Sequence, residues 1–237
     1  MPLFYACDPA ARTVQWRPMS TNRTAARTRG AILLGMLLLC LPATAQQVKL
    51  NLADGFDFPV GKPNAEGYYK SRGLRLRSPE HFGEDWNGRA GGESDLGDPV
   101  YAIADGIVTL AHNVRSGWGN VVLTRHAYRD PASGEVKYCD TLNGHLNEIM
   151  VKNGELIKRG QQIGTIGNNF GMYPAHLHFE IRHNIQIGMI RHSVPCDLLN
   201  WADPTQFINK YRHLKNEWRM VAVPTGTYLA YMGFKGI

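Results

Sequence analysis

The segment His176-Leu-His-Phe-Glu-Ile-Arg182 alternates strictly between apolar and polar side chains. A period of two is the mark of an extended strand with one face turned to a core. Leu177, Phe179 and Ile181 then form the apolar face, and His176, His178, Glu180 and Arg182 share the other. Neighbours on one face of a strand lie roughly 6–7 Å apart, so two imidazoles stand side by side. Taken alone, a His-x-His pair reads more readily as a solvated polar face than as a pair of ligands.

The rest of the chain predicts a mainly β protein. With 25 glycines and 13 prolines in 237 residues, turns are frequent and short strands are favoured over long helices. Val100 to Ala104 and Ile107 to Ala111 read as strands joined through Asp105-Gly106, and Asn120 to His126 as a third. Arg129 to Glu135 reads as a hairpin tip, followed by a strand from Val136 to Leu142. Asn153-Gly154 and Arg159-Gly160 are turn signals around Glu155 to Lys158, and Gln162 to Ile166 is a strand with small residues. Asp203-Pro204 predicts a helix start, after which Phe207, Ile208, Tyr211 and Leu214 share one face. Gly55 to Pro63 reads as loop with a short extended piece, and residues 216–237 have no evident pattern. There is no repeat, low-complexity tract or heptad run.

Residues 1–45 read as an N-terminal extension and secretory signal. Five arginines (Arg12, Arg17, Arg23, Arg27, Arg29) precede the apolar run Ala31 to Leu41, which ends in Pro42-Ala-Thr-Ala45. The run is too short to be a comfortable membrane span, and Met19 reads as an alternative start. Leu39 before Cys40 is the wrong neighbour for a lipid-modified cysteine. Cleavage after Ala45 leaves 21 basic and 19 acidic side chains, a formal charge of +2. The sequence pI near 9.2 therefore belongs mostly to the leader, and net charge gives no ground for nucleic-acid binding. Cys139 and Cys196 remain, and in an oxidising compartment their pairing is one expectation and two buried thiols the other.

A second cluster gives the two imidazoles a chemical context. His81-Phe-Gly-Glu-Asp85 places an imidazole and a carboxylate four residues apart in a glycine-rich stretch, read here as a loop. Zinc accepts nitrogen and carboxylate oxygen in a tetrahedral shell. Two ligands from this loop and one from the strand leave the fourth position open, as in catalytic zinc sites. A third motif, Asn143-Gly-His-Leu-Asn147, puts His145 just after a strand. His112, His126, His183, His192 and His213 have no ligand-like spacing and read as structural or surface residues, His126 being the one that follows an apolar strand.

In order along the chain, His81-x-Gly-x-Asp85, Gly97-Asp-Pro-Val to Val108, Gly117-Trp-Gly-Asn-Val-Val122, Gly144-His-Leu146, Val151 to Gly167 and His176-Leu-His-Phe-Glu-Ile181 resemble the LytM/lysostaphin-type zinc metallo-endopeptidases. The likeness spans about residues 78 to 208. It implies a compact, mostly antiparallel β-sheet domain, sandwich-like, with a groove, one zinc per chain, and cleavage of peptide bonds in bacterial peptidoglycan. By position, His81, Asp85 and His178 match the family's zinc ligands, and His145 and His176 its two non-ligand catalytic histidines. Two stretches depart from the pattern: Trp86 to Leu96 is longer than usual, and so is Asn120 to His145. The expected organisation is a leader (1–45), a lead-in segment (46–77), the metallo-endopeptidase domain (78–214) with a short C-terminal helix, and a tail (215–237). The implied protein is an exported monomer, periplasmic or extracellular, with peptidoglycan peptide as its partner, no nucleic acid and no membrane span after cleavage.

Three other readings remain. A non-catalytic relative that activates another wall hydrolase would be marked by a lost ligand, whereas all five polar positions are present. A lipoyl- or biotinyl-type carrier shares the Asp-Gly-x-Val turn but gives no reason for the histidines. A secreted zinc peptidase acting on proteins is not separated from a wall enzyme by the sequence.

Overall fold

A computed structural model describes residues 47–189 and 194–228. The proposed leader and Met19 lie outside the described residues. Among the described residues, twelve strands and one α-helix follow in chain order, with a short π-helical turn (Gly61–Ala65) after the first strand: β1 (Gln47–Asn51), β2 (Tyr68–Arg72), β3 (Glu84–Gly88), β4 (Pro99–Tyr101), β5 (Gly106–Asn113), β6 (Asn120–Arg129), β7 (Val136–Leu146), β8 (Leu156–Ile157), β9 (Gln162–Thr165), β10 (Leu177–Arg182), β11 (Trp201–Ala202), α1 (Pro204–Lys210) and β12 (Met220–Pro224). The protein is mainly β, as the turn density predicts. Eight strands form one sheet in the order β2-β3-β10-β7-β6-β5-β8, with β11 beside β10. Every pairing is antiparallel. β4 and β9 make a small second sheet, and β1 pairs with β12 in a third.

Alternation in β10 fixes which side of the large sheet is which. Leu177, Phe179 and Ile181 are buried in the main core with Phe56, Val100, Ile103, Ile163, Ile166, Phe207 and Ile208. That core fills the space between the large sheet, the β4–β9 pair, the segment after β1 and α1. Asp203 caps α1 by accepting from Gln206 N at 2.9 Å, with proline in the first turn, as the Asp-Pro pair predicts. Phe207, Ile208 and Tyr211 point inward.

The opposite face carries a row of buried charge. Arg182 on β10 pairs in register with Asp140 on β7, and Asp140 with Arg125 on β6. Arg125 and Asp140 are each 1% exposed and form a two-point contact, Nε to Oδ1 and Nη2 to Oδ2, both 2.7 Å. Burial works against the Arg125 charge, but Asp140 more than offsets it and holds the guanidinium's pKa above its usual value. The remaining donors reach outward. Arg125 Nη2 donates to Ile185 O at 2.8 Å, and Tyr228 Oη donates to Asp140 Oδ2 at 2.9 Å. The ion pair therefore fastens the C-terminal segment to the sheet, a stretch without any sequence pattern. β1 and β12 pair with Leu50 opposite Val221 and Val48 opposite Val223, and Leu50 and Val223 pack in one cluster with Ile107 and Ala127.

Three local expectations change. His145 lies within β7 and not after a strand, because β7 runs on to Leu146. Asp85 lies on β3, so the His81–Asp85 stretch is loop only up to Gly83 and strand from Glu84. Cys139 is a free thiol, fully buried, so the pairing with Cys196 is not made. It faces His126 across β6 and β7, and burial pushes its pKa up.

Asp140→Asn would leave a buried guanidinium without its counter-charge. We expect a loss of about 3–5 kcal/mol in urea unfolding. A loss below about 1 kcal/mol would show that Arg125 finds water or another acceptor.

Candidate metal centre

The sheet register brings the sequence motifs together. His178 on β10 stands directly opposite Asp85 on β3 and, on its other side, opposite Gly144 on β7. His81 precedes β3 and bridges Arg75. Gly83, between His81 and Asp85, has a steric reason: a Cβ there would lie 2.1 Å from Phe179 O. Only glycine lets β3 approach β10 closely enough to bring both side chains to His178.

Three donor atoms meet at one point. Asp85 Oδ1 lies 2.9 Å from His81 Nε2 and 2.9 Å from His178 Nδ1, and the two nitrogens are 3.1 Å apart. The far nitrogen of each ring shows where its hydrogen is. His81 Nδ1 is 2.9 Å from Gly73 O, and a carbonyl only accepts, so Nδ1 carries the hydrogen and Nε2 a lone pair. His178 Nε2 is 3.0 Å from the Glu180 carboxylate, which leaves the Nδ1 lone pair facing inward when the ring is neutral. Two lone pairs and a carboxylate oxygen aimed at each other demand a positive charge. Tetrahedral zinc, with bonds of ~2.0–2.1 Å, would hold such donors roughly 3.3 Å apart, so a small outward adjustment accommodates it. His81, Asp85 and His178 fit a metal of that size and softness, and among the described residues they are the cluster with this geometry.

The electrostatics agree. Burial alone would raise the Asp85 carboxyl, yet the close His178 and His81 imidazoles outweigh it and hold the group far below the usual carboxylate range. For His178, burial opposes the charge and the Asp85 and Glu180 contacts outweigh burial, so its pKa is raised. Glu180 is fully buried, and its second oxygen accepts from Arg182 Nε at 2.8 Å and Trp201 Nε1 at 3.3 Å. The polar face of β10 is thus a buried hydrogen-bonded row and not a solvated surface.

His145 and His176 stand beside the donors without joining them. His176 Nδ1 is 2.8 Å from Pro174 O, which places its hydrogen there and leaves Nε2 as a base, 3.9 Å from Asp85 Oδ1. The His145 ring is 5.0 Å from that of His176 and 5.7 Å from that of His178, centroid to centroid. It stacks on Trp118 at 5.9 Å with an 18° tilt, and Tyr173 lies 4.9 Å away. Burial pushes the His145 pKa down to about 3, with the neighbouring His178 and His176 adding to it. Its backbone has φ of 61°, uncommon for a residue with a Cβ. Gly144 makes room for Trp118, whose ring atoms would lie 3.2 Å from a Cβ there.

All five residues singled out by sequence are therefore in one place. Their supports were missed. Glu180 was visible, two residues from His178 on the same face, but its buried partners were not. Trp118 and Tyr173 come from loops remote in sequence, and the Gly73 carbonyl has no side-chain signal at all. His126 is a core residue, with Nδ1 on Asp105 O and Nε2 on Thr124 Oγ1, both at 2.9 Å. His112, His183 and His213 are not part of the donor cluster, and His192 lies outside the described residues. No helix among the described residues is long and apolar enough to cross a membrane.

Comparison with known proteins places this geometry. A family model described as Peptidase family M23 matches residues 81–188. The chain is 36% identical over 121 residues to the peptidoglycan DD-endopeptidase ShyA of Vibrio cholerae, covering 50% of this chain and 26% of that protein. It is 32% identical over 133 residues to the murein hydrolase activator EnvC of Escherichia coli, covering 54% of this chain and 28% of that protein. The chain thus spans only about a quarter of the length of either. Lipoprotein NlpD of Yersinia enterocolitica is 36% identical over 87 residues, which are 37% of this chain and 79% of that protein. With the family model covering the residues that build the site and most of one relative aligned, the chain belongs to peptidase family M23.

Proposed function

We propose that the protein is a zinc-dependent endopeptidase that is exported and hydrolyses peptide bonds in bacterial peptidoglycan. The observation that carries this reading is the convergence of two lone-pair nitrogens and a carboxylate oxygen beside a histidine whose base nitrogen faces them. His81, Asp85 and His178 would hold the zinc. When bound, the metal supplies a Lewis acid that polarises the scissile carbonyl and eases deprotonation of water. The His176 Nε2 lone pair takes a proton from the attacking water, and the Pro174 carbonyl keeps the ring in the tautomer this needs. His145, stacked against Trp118, offers an N–H to the oxygen that gains charge as the amide is attacked. The proton taken by His176 passes to the leaving nitrogen, so water is added across the amide and both histidines return to their starting state.

The second reading, an activator of another wall hydrolase, has support in the likeness to EnvC. Against it stands the complete set of five side chains, with both donor imidazoles oriented by buried acceptors. Digestion of purified peptidoglycan, followed by product masses, separates the two and names the bond. Free peptide termini released by the protein alone are expected. Release only when a second hydrolase is added would favour the activator.

Purified protein should hold about one zinc per chain, and His81→Ala, Asp85→Ala and His178→Ala should each lose it, as elemental analysis would measure. A His178→Ala variant that retained parental affinity would remove that residue from the donor set.

His145→Ala and His176→Ala should keep stoichiometric zinc and parental melting temperature but lose at least ~10²-fold in turnover. Zinc loss in either would make that histidine a ligand, and parental turnover would exclude it from the mechanism.

A further inference from the structure

The stretch that departs from the family's spacing, residues 86–96, is built against the segment that carries His176, just before β10. Asn87 Nδ2 donates to Ala175 O at 3.0 Å, and Glu93 Oε1 accepts from Ala175 N at 3.1 Å. Both hydrogen-bonding groups of the residue immediately before His176 are thus held by side chains from this stretch. We propose that Asn87 and Glu93 are positioning residues that set the place of His176, so that the long loop is part of the catalytic apparatus.

The local backbone explains why such grips are needed. His176 makes an isolated bridge with Gly167, and the ladder of β10 begins only at Leu177. Ala175 is fully buried, so water does not readily replace a missing partner. The anchors of the His176 ring run through the same short stretch, since its Nδ1 donates to Pro174 O. A movement of residues 174–176 therefore carries the base nitrogen with it.

The loop is rigid enough to serve as a post. Asp95, 1% exposed, accepts from Gly88 N at 2.8 Å across the loop's base. Successive turns link Gly91 N to Gly88 O, Ser94 N to Gly91 O and Leu96 N to Glu93 O at 3.1–3.2 Å. Gly97 N hooks the far end to Ile166 O at 2.8 Å. Asn87 is fixed separately. It lies two residues beyond Asp85 on β3, and its Oδ1 accepts from Ser71 Oγ at 2.6 Å, which turns Nδ2 toward Ala175. The second Glu93 oxygen accepts from Asn168 Nδ2 at 3.4 Å. Asn87 and Glu93 reach Ala175 from β3 and from the loop respectively, and neither touches the three donor atoms.

This inference rests on the role proposed above for His176, and the test keeps the two apart. The variants are Asn87→Ala, Glu93→Ala, the double variant and Glu93→Gln, made in the full zinc-loaded protein. The readouts are kcat and KM on a soluble cross-linked peptidoglycan fragment, zinc affinity by chelator competition, and NMR of the Ala175 amide and the His176 ring. Each alanine variant should lower kcat on the order of ten-fold, and the double variant ~10²-fold, the size expected for a misplacement of about 1 Å. KM and zinc affinity should stay at parental values, Ala175 amide exchange should quicken, and Glu93→Gln, which keeps the accepting oxygen, should restore most of the rate. Parental kcat in the double variant would overturn the proposal, as would a loss of rate that tracks a loss of zinc. An inactive parent would sink the hydrolase reading. In that event unmoved Ala175 and His176 signals in the double variant would overturn the positioning role as well, and shifted signals would support it.

Discussion

The structure depends on how closely β3 approaches β10. Gly83 permits a distance that no side chain would, and the antiparallel register then sets Asp85 opposite His178. Everything at the site follows from that pair. His81 enters from two residues before the close contact, the Gly144 position on β7 leaves room for Trp118, and Trp118 in turn supports His145. The glycine in the His81-x-Gly-x-Asp85 motif is as much a part of the donor set as its ligating atoms.

That constraint explains which parts of the site were legible in the sequence. The alternation of β10 gave its two faces, and with them the neighbourhood of His176 and His178. The four-residue spacing of His81 and Asp85 points to shared ligation but not to its geometry, since the glycine-rich pattern reads as a loop and half of the stretch is strand. The burial of Glu180 and Arg182 was illegible because charged residues on an alternating strand usually face water. They are covered by the chain that follows β10 and folds back over it, with Trp201 donating to Glu180 and the Gly188 carbonyl accepting from Arg182. Sequence pattern reports periodicity within a strand, and these coverings come from irregular chain outside it.

The same reasoning applies to the fold. Strands with a core face, the hairpin tip at Arg129 to Glu135 and the capped helix at Asp203-Pro204 announce themselves through period and turn chemistry. β1 and β12 do not. Both are short, their partners are at the opposite end of the chain, and the ion pair that holds the C-terminal segment joins Arg125 and Asp140 in the middle of the sheet. Cys139 is open in the sequence for a related reason: compartment and count allow pairing as well as a buried thiol, and its place between two central strands is decided by core packing against Tyr128 and its neighbours.

The pairing of β1 with β12 makes the two flanks of the family-matched region a single unit of inheritance. Losing either strand would strip the other of its ladder partner and leave a row of bare N–H and C=O groups beside the apolar patch of Ile107 and Ala127. Such an edge is a template for pairing with another chain. Evolution or engineering that trims this protein toward the bare family region must therefore remove both flanks together and resurface β5 and β6, or keep both.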